Sequence, residues 1–149
     1  EYPLMVEEYC LINGSSGSGR MRGGMGVARE VRALSDNTTF SGRADSFITA
    51  AEGYDGGLHG SHCRIIRNFG SQNEIVMAPK QRLISLAAGE RIRMETPGGG
   101  GLGYPSDRSI DDLAVDLEDQ RISVARARLD YGNELTEKAL KIISKSNPE

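Results

Sequence analysis

In this 149-residue chain the side chains best suited to chemistry sit close together. His59, His62 and Cys63 form an H-x-x-H-C run, and Cys10 is the second thiol. Imidazole and thiolate are the usual zinc donors, but a structural zinc site draws four convergent ligands from paired spacings. Three neighbours on a glycine-laced stretch do not supply that pattern, so the run reads as a turn or a packed interface. With only two cysteines, Cys10 and Cys63 read as reduced, buried thiols and not as a disulfide framework. Asp107, Asp111, Asp112, Asp116, Glu118 and Asp119 form an acidic run without the twelve-residue loop of a calcium hand. Acids at the start of a helix already have a reason to be there, the positive end of its dipole. There is no G-x-S-x-G elbow and no Ser-His-Asp or Cys-His constellation. The residues nominate no catalytic side chain, no cofactor-binding side chain and no metal ligand.

Two glycine-dense stretches remain. Asn13 to Gly26 carries six glycines, but no Lys-Ser or Lys-Thr follows them and the next segment reads as a strand. A phosphate-binding loop needs both that pair and a helix, so a shaped hairpin or packed interface fits better. Thr96 to Pro105 holds four consecutive glycines, Gly98 to Gly101, flanked by Pro97, Leu102, Tyr104 and Pro105. Loss of every Cβ lets another backbone approach closely or lets φ turn positive repeatedly. The flanking prolines and tyrosine point to a packed loop over a flexible linker.

The elements that would hold these stretches divide the chain. Residues 1–105 contain eighteen of the nineteen glycines and several short apolar runs. Leu4–Ile12, Gly26–Leu34, Ser46–Thr49, Arg64–Arg67, Glu74–Met77, Leu83–Leu86 and Glu90–Thr96 read as strands, with Ala87–Glu90 a turn. In the last strand Ile92, Met94 and Thr96 alternate with Arg91, Arg93 and Glu95, the pattern of a half-buried strand. From Ser106 the period changes to that of a helix. Ser109 is the expected N-cap of a first helix, with Ile110, Leu113, Ala114 and Leu117 on one stripe. A second helix runs from Ser123 through Ala125 and Leu129 to Gly132 as its stop. A third is capped by Thr136, with Leu135 and Leu140 as a staple and Ala139, Leu140, Ile142 and Ile143 buried. Residues 144–149 are expected to fray. The expected fold is α+β: residues 1–105 form a glycine-rich, sandwich- or barrel-like β module, and 106–149 form a helical tail packing on it or on a partner.

Eighteen Lys and Arg against twenty-one Asp and Glu argue against a broad nucleic-acid footprint or a polybasic membrane surface. No apolar run approaches the ~18 residues of a membrane span. These features predict a cytoplasmic protein. With no Trp, three Phe and five Tyr, bulky packing is scarce. The module is expected to owe part of its stability to a partner's surface.

Glu1-Tyr2-Pro3-Leu4 through Tyr9, then Ser16 to Glu30, and above all Glu95 to Pro105, resemble the C-terminal region of hydantoinase B-type proteins. The tail is similar too, with an acidic helix, Ile122-Ser123, and a helix ending Asp130-Tyr131-Gly132. The likeness covers nearly the whole chain and departs between Asn37 and Gln72. The family includes N-methylhydantoinases, 5-oxoprolinases, and acetone and acetophenone carboxylases. The resemblance implies an ATP-dependent complex in which a hydantoinase A-type large subunit handles ATP and a B-type large subunit helps build a second site. It places ATP and a divalent metal in those partner subunits and the metal-binding motifs upstream of this region. The chain then resembles a small split subunit of an acetophenone-carboxylase-type enzyme. The alternatives are a subunit of an N-methylhydantoinase or 5-oxoprolinase and, from another class, a freestanding ligand-binding β module.

Overall fold

The computed structural model describes residues 2–146. Seven strands precede three helices: β1 (Leu4–Leu11), β2 (Val27–Ala33), β3 (Thr38–Arg43), β4 (Arg64–Arg67), β5 (Ile75–Val76), β6 (Lys80–Leu86), β7 (Arg91–Glu95), α1 (Ile110–Glu118), α2 (Val124–Tyr131) and α3 (Asn133–Ser146). Strands β1-β2-β7-β4-β5 form one open antiparallel sheet, and β3 pairs with β6 in a separate ribbon. The fold is α+β with no closed barrel.

The ribbon lies on one face of the sheet. Phe40, Ile84 and Leu86 from the ribbon meet Ala33, Ile65, Ile92 and Met94 from the sheet, and this is the β core. A second core belongs to the helices: Leu113, Ala114, Leu117, Ile122, Ala127, Tyr131 and Ala139. Each is small, as the scarcity of aromatics predicts.

The register explains how β1 behaves. Val6 pairs with Val31 and Glu8 with Glu30, so a bulge falls at Glu7. The extra residue keeps Leu4, Val6, Tyr9 and Leu11 on the face of Val31 and Ala33. That is the ribbon's face: Leu4 lines a cavity with Thr38, Phe40 and Leu86 of the ribbon, whereas Val6, Tyr9 and Leu11 lie outside it. Leu4 is 45%, Val6 51%, Tyr9 72% and Leu11 61% exposed.

Several expectations need correction. Ser46–Thr49 is a turn and not a strand. The ribbon's first strand is instead Thr38–Arg43, whose side chains alternate between half-buried and exposed. Its two threonines and one Phe give a weak apolar signal. The Arg91, Arg93 and Glu95 face of β7 is not solvated: Arg93 is 7% and Glu95 8% exposed, because β7 lies mid-sheet. In α2 the buried residues are Ala127 and Tyr131, while Leu129 faces solvent. Thr136 is not an N-cap, since α3 starts at Asn133, directly after Gly132. The Thr136 hydroxyl instead donates to the Gly132 carbonyl at 2.8 Å from inside the helix. Leu135 and Leu140 are therefore both within α3, and no staple forms. Residues 144–146 continue the helix, and 147–149 lie outside the described residues. Ser109 and Ser123 do cap α1 and α2, accepting from the backbone N–H of Asp112 and Arg126. Gly132 ends α2 with φ at 84°.

Candidate functional site

The glycine-dense stretches converge. Residues 15–24, 51–61 and 98–103 run side by side, the second turning at Asp55-Gly56, and are joined by backbone hydrogen bonds. Gly17 N–H donates to Gly99 O at 2.8 Å, and Gly99 N–H to Gly24 O at 2.9 Å. Leu58 N–H donates to Ser18 O at 2.7 Å, Gly101 N–H to Leu58 O at 2.9 Å, and Tyr54 N–H to Gly101 O at 2.9 Å. A Cβ at Gly100 would overlap the Glu52 carbonyl, one at Gly101 the Ser18 carbonyl, and one at Gly57 the Gly101 carbonyl. Gly98 to Gly101 all avoid positive φ. Close backbone approach, and not left-handed turning, is therefore the reason for the run, as with the glycines at a collagen axis.

Around this hub stand two charged clusters that the sequence did not announce. The first crosses the sheet face away from the ribbon. Glu8, Glu30 and Arg93 fall in one cross-strand row. Arg93 contacts Glu8 through Nη1, holds Glu95 at 2.9 Å through Nε, and lies 3.6 Å from Glu30. Arg91 holds Glu30 at 2.9 Å, and Arg64 holds Glu95 at 2.8 Å. The Phe69 ring caps the Arg93 guanidinium at 4.4 Å. Arg93's hydrogen bond holds the Glu8 carboxyl below its ordinary pKa. The three carboxylates and three guanidiniums balance, which is how a charged row tolerates mid-sheet burial.

The second cluster ties the helices to the hub. Asp116 on α1, 1% exposed, accepts from Arg22 Nε at 3.1 Å and from Arg108 Nη2, with Arg121 at 3.6 Å. Ser18 Oγ donates to Asp130 of α2 at 2.7 Å, and Gly14 N–H to Arg121 O at 2.9 Å. Asp116 was legible only as one acid in an acidic run. Its place three residues after Leu113 puts it beside the apolar stripe, which is the signal that marks it.

His59 and His62 are exposed on one side of the hub and share a cleft with Thr49, Ala50 and Glu52. His62 also borders a polar cleft with Asn13, Ser15, Ser61, Arg64 and Glu95. Cys63 is buried, and burial followed by the Glu95 charge pushes its thiol pKa up. Cys10 is likewise pushed up, by burial and by its hydrogen bond to Glu8. Both thiols are therefore poor thiolates. Cys10 lies on β1 across the sheet from the His loop. Among the described residues no group of three or more His, Cys, Asp or Glu could hold a metal ion, so these side chains do not fit a divalent metal. Among the described residues no helix is long and apolar enough to cross a membrane.

The chain thus combines an open antiparallel sheet, a β3–β6 ribbon packed on one of its faces, a glycine hub and a helical tail clamped to that hub. Residues 1–105 match the family model Hydantoinase B/oxoprolinase. The chain belongs to the hydantoinase B family. It is 36% identical over 131 residues to an uncharacterized protein of Methanocaldococcus jannaschii, covering 88% of this chain and 23% of that one. It is 34% identical over 137 residues to the B component of a D-/L-hydantoinase of Pseudomonas sp. strain NS671, covering 91% and 23%. Among solved structures it resembles an ATP-dependent caprolactamase from Pseudomonas jessenii, with TM-score 0.71, 27% identity, and 95% and 26% coverage. An acetone carboxylase in its nucleotide-free form shares the fold, with TM-score 0.75, 18% identity, and 97% and 25% coverage. The chain spans about a quarter of the length of these relatives.

Proposed function

We propose that this chain works as a framework and assembly subunit of an ATP-dependent hetero-oligomer, supplying the C-terminal portion of a hydantoinase B-type half. The observation that carries the reading is the uncovered apolar sheet face: Leu4, Val6, Tyr9 and Leu11 are all about half exposed or more on an edge strand. A contiguous apolar patch of this kind on a small protein marks an interaction surface. Arg29 projects from the middle of the same face, opposite Tyr9, and ion-pairs with no described residue. The surface that covers it is therefore apolar with a carboxylate placed for Arg29. A larger B-type polypeptide supplies that surface, and an A-type subunit completes the assembly with ATP. The divalent metal sits in those partners.

Two reactions are open to such an assembly. One is ATP-dependent carboxylation of a ketone, as in an acetophenone-carboxylase-like enzyme. The other is ATP-dependent opening of a cyclic amide. The identities of 34% to a hydantoinase component and 27% to a caprolactamase, against 18% to acetone carboxylase, favour the amide. The test is co-expression with the A- and B-type subunits, followed by ATP hydrolysis assays with a hydantoin or lactam and with acetophenone plus bicarbonate. Stimulation by the cyclic amide alone is expected. A monodisperse chain that co-purifies with nothing and melts as sharply alone as any assembly would sink the reading.

A further inference from the structure

We infer that the shallow cavity between the 20–22 loop and α1 binds a tetrahedral oxyanion, a phosphate or phosphoryl group. Its wall carries four guanidiniums, Arg20, Arg22, Arg108 and Arg121, against the carboxylates of Asp112 and Asp116. Asp116 is already saturated, with Arg22 and Arg121 on Oδ1 and Arg108 on Oδ2. Arg121 turns its other terminal nitrogen to Asp119 at 2.7 Å. Counting Asp112, Asp116 and Asp119 against four arginines leaves one positive charge in excess. Neutralising a single buried Asp116 does not require so many guanidiniums.

The second observation is an orphan donor. The Arg108 side chain is 8% exposed, and its Nε is buried without an acceptor. Tyr131 Oη is also buried and unpartnered, and its ring lies 5.8 Å from the Arg108 guanidinium carbon. A charged N–H held out of water without an acceptor is costly, and a charged oxygen is its best partner. Arg20, exposed at the cavity mouth, ion-pairs with no described residue. Arg22 gives Nε to Asp116 and Nη1 to Ser16 and Gly23, and Arg108 gives Nη1 to the Arg20 carbonyl. The fork offered outright is that of Arg20, with the other three supplying the positive field that favours an oxyanion over a neutral ligand. The site stands apart from the uncovered sheet face, so it does not depend on the assembly reading.

The experiment is equilibrium dialysis of labelled inorganic phosphate against the full chain with its co-purifying subunits, at constant ionic strength in chloride. ADP and AMP serve as parallel probes. Arg20 lies outside the Asp116 clamp, so R20A should keep the melting temperature measured without phosphate. Saturable binding is expected, weakened about tenfold or more in R20A and less in R20K, because a charge-assisted hydrogen bond is lost. Only the part of the binding that R20A weakens is assigned to this cavity, because an A-type subunit would bind nucleotide of its own. Within that part, phosphate at least as tight as ADP assigns a free anion, and tighter ADP assigns a nucleotide phosphoryl group. Absence of any R20A-sensitive component for both probes overturns the inference.

Discussion

A methyl group at Gly100 would overlap the Glu52 carbonyl and at Gly101 that of Ser18, whereas at Gly24 nothing lies within 4 Å. All three avoid positive φ, so Ala is conformationally allowed and only space distinguishes them. G100A and G101A should therefore lower the melting temperature sharply or abolish soluble expression. G24A should be neutral or stabilising by up to ~1 kcal/mol through the unfolded chain. Thermal denaturation of the three variants decides it, and equal behaviour would reduce the run to a linker. Asp116 offers a second test. D116N keeps the shape but strands three guanidiniums, one of them buried, and should cost about 3–5 kcal/mol in urea unfolding. Conversely, H59A, H62A and C63A should each reduce turnover of the assembled enzyme modestly, by less than about tenfold. Loss by several powers of ten in any one of them would make that loop catalytic.

At the scale of elements, β7 depends on charge pairing. Glu90, just ahead of it, accepts from Arg67 Nε at 2.9 Å and from Arg67 Nη2, and takes the Ala87 N–H at 2.8 Å. The Arg67 hydrogen bond, more than any other influence, holds its carboxyl below the ordinary value. A depressed folded pKa means the stabilisation is fully present above the unfolded value of ~4.3 and is lost as pH falls through the lower folded value. Unfolding midpoints measured from pH 7 down to pH 3 should fall for the native chain, and E90Q should flatten part of that fall. An unchanged slope in E90Q would show that the pair contributes nothing. The Arg67–Glu90 pair also staples the β6–β7 turn to β4, which is why one carboxylate affects two elements.

For the molecule as a whole, two small cores and an uncovered sheet face predict marginal independence. Expressed alone, the chain should aggregate or melt well below its assembly. Replacing Val6 and Tyr9 by Lys should make the lone chain more soluble while preventing co-purification with the large subunits. Gel filtration and pull-down read these two effects separately. The pair of results distinguishes a docking face from a patch that merely lowers solubility, since the latter would gain solubility and keep its partners. The lysines also sit near Arg29, so they compete with it for the partner's carboxylate and disturb the charge match.

The sequence by itself determined most of the elements and the family. Period-2 alternation located β7, short apolar runs located β2 and β4, and Ser109, Ser123 and Gly132 marked helix ends, because these are local signals set by neighbours in the chain. Glu95 to Pro105 carried the resemblance, since four adjacent glycines leave little freedom for the fold around them. Tertiary structure decided the rest. The Arg91, Arg93 and Glu95 face looked solvated because alternation cannot tell a central strand from an edge, and only the order β1-β2-β7-β4-β5 buries it. Thr38–Arg43 became a strand, in place of Ser46–Thr49, because β6 offered it a partner. Thr136 fell inside α3 because Gly132 ends α2 with no linker to spare. The convergence of Arg22, Arg108 and Arg121 on Asp116 joins residues up to about a hundred positions apart, and no local pattern records a contact made through folding.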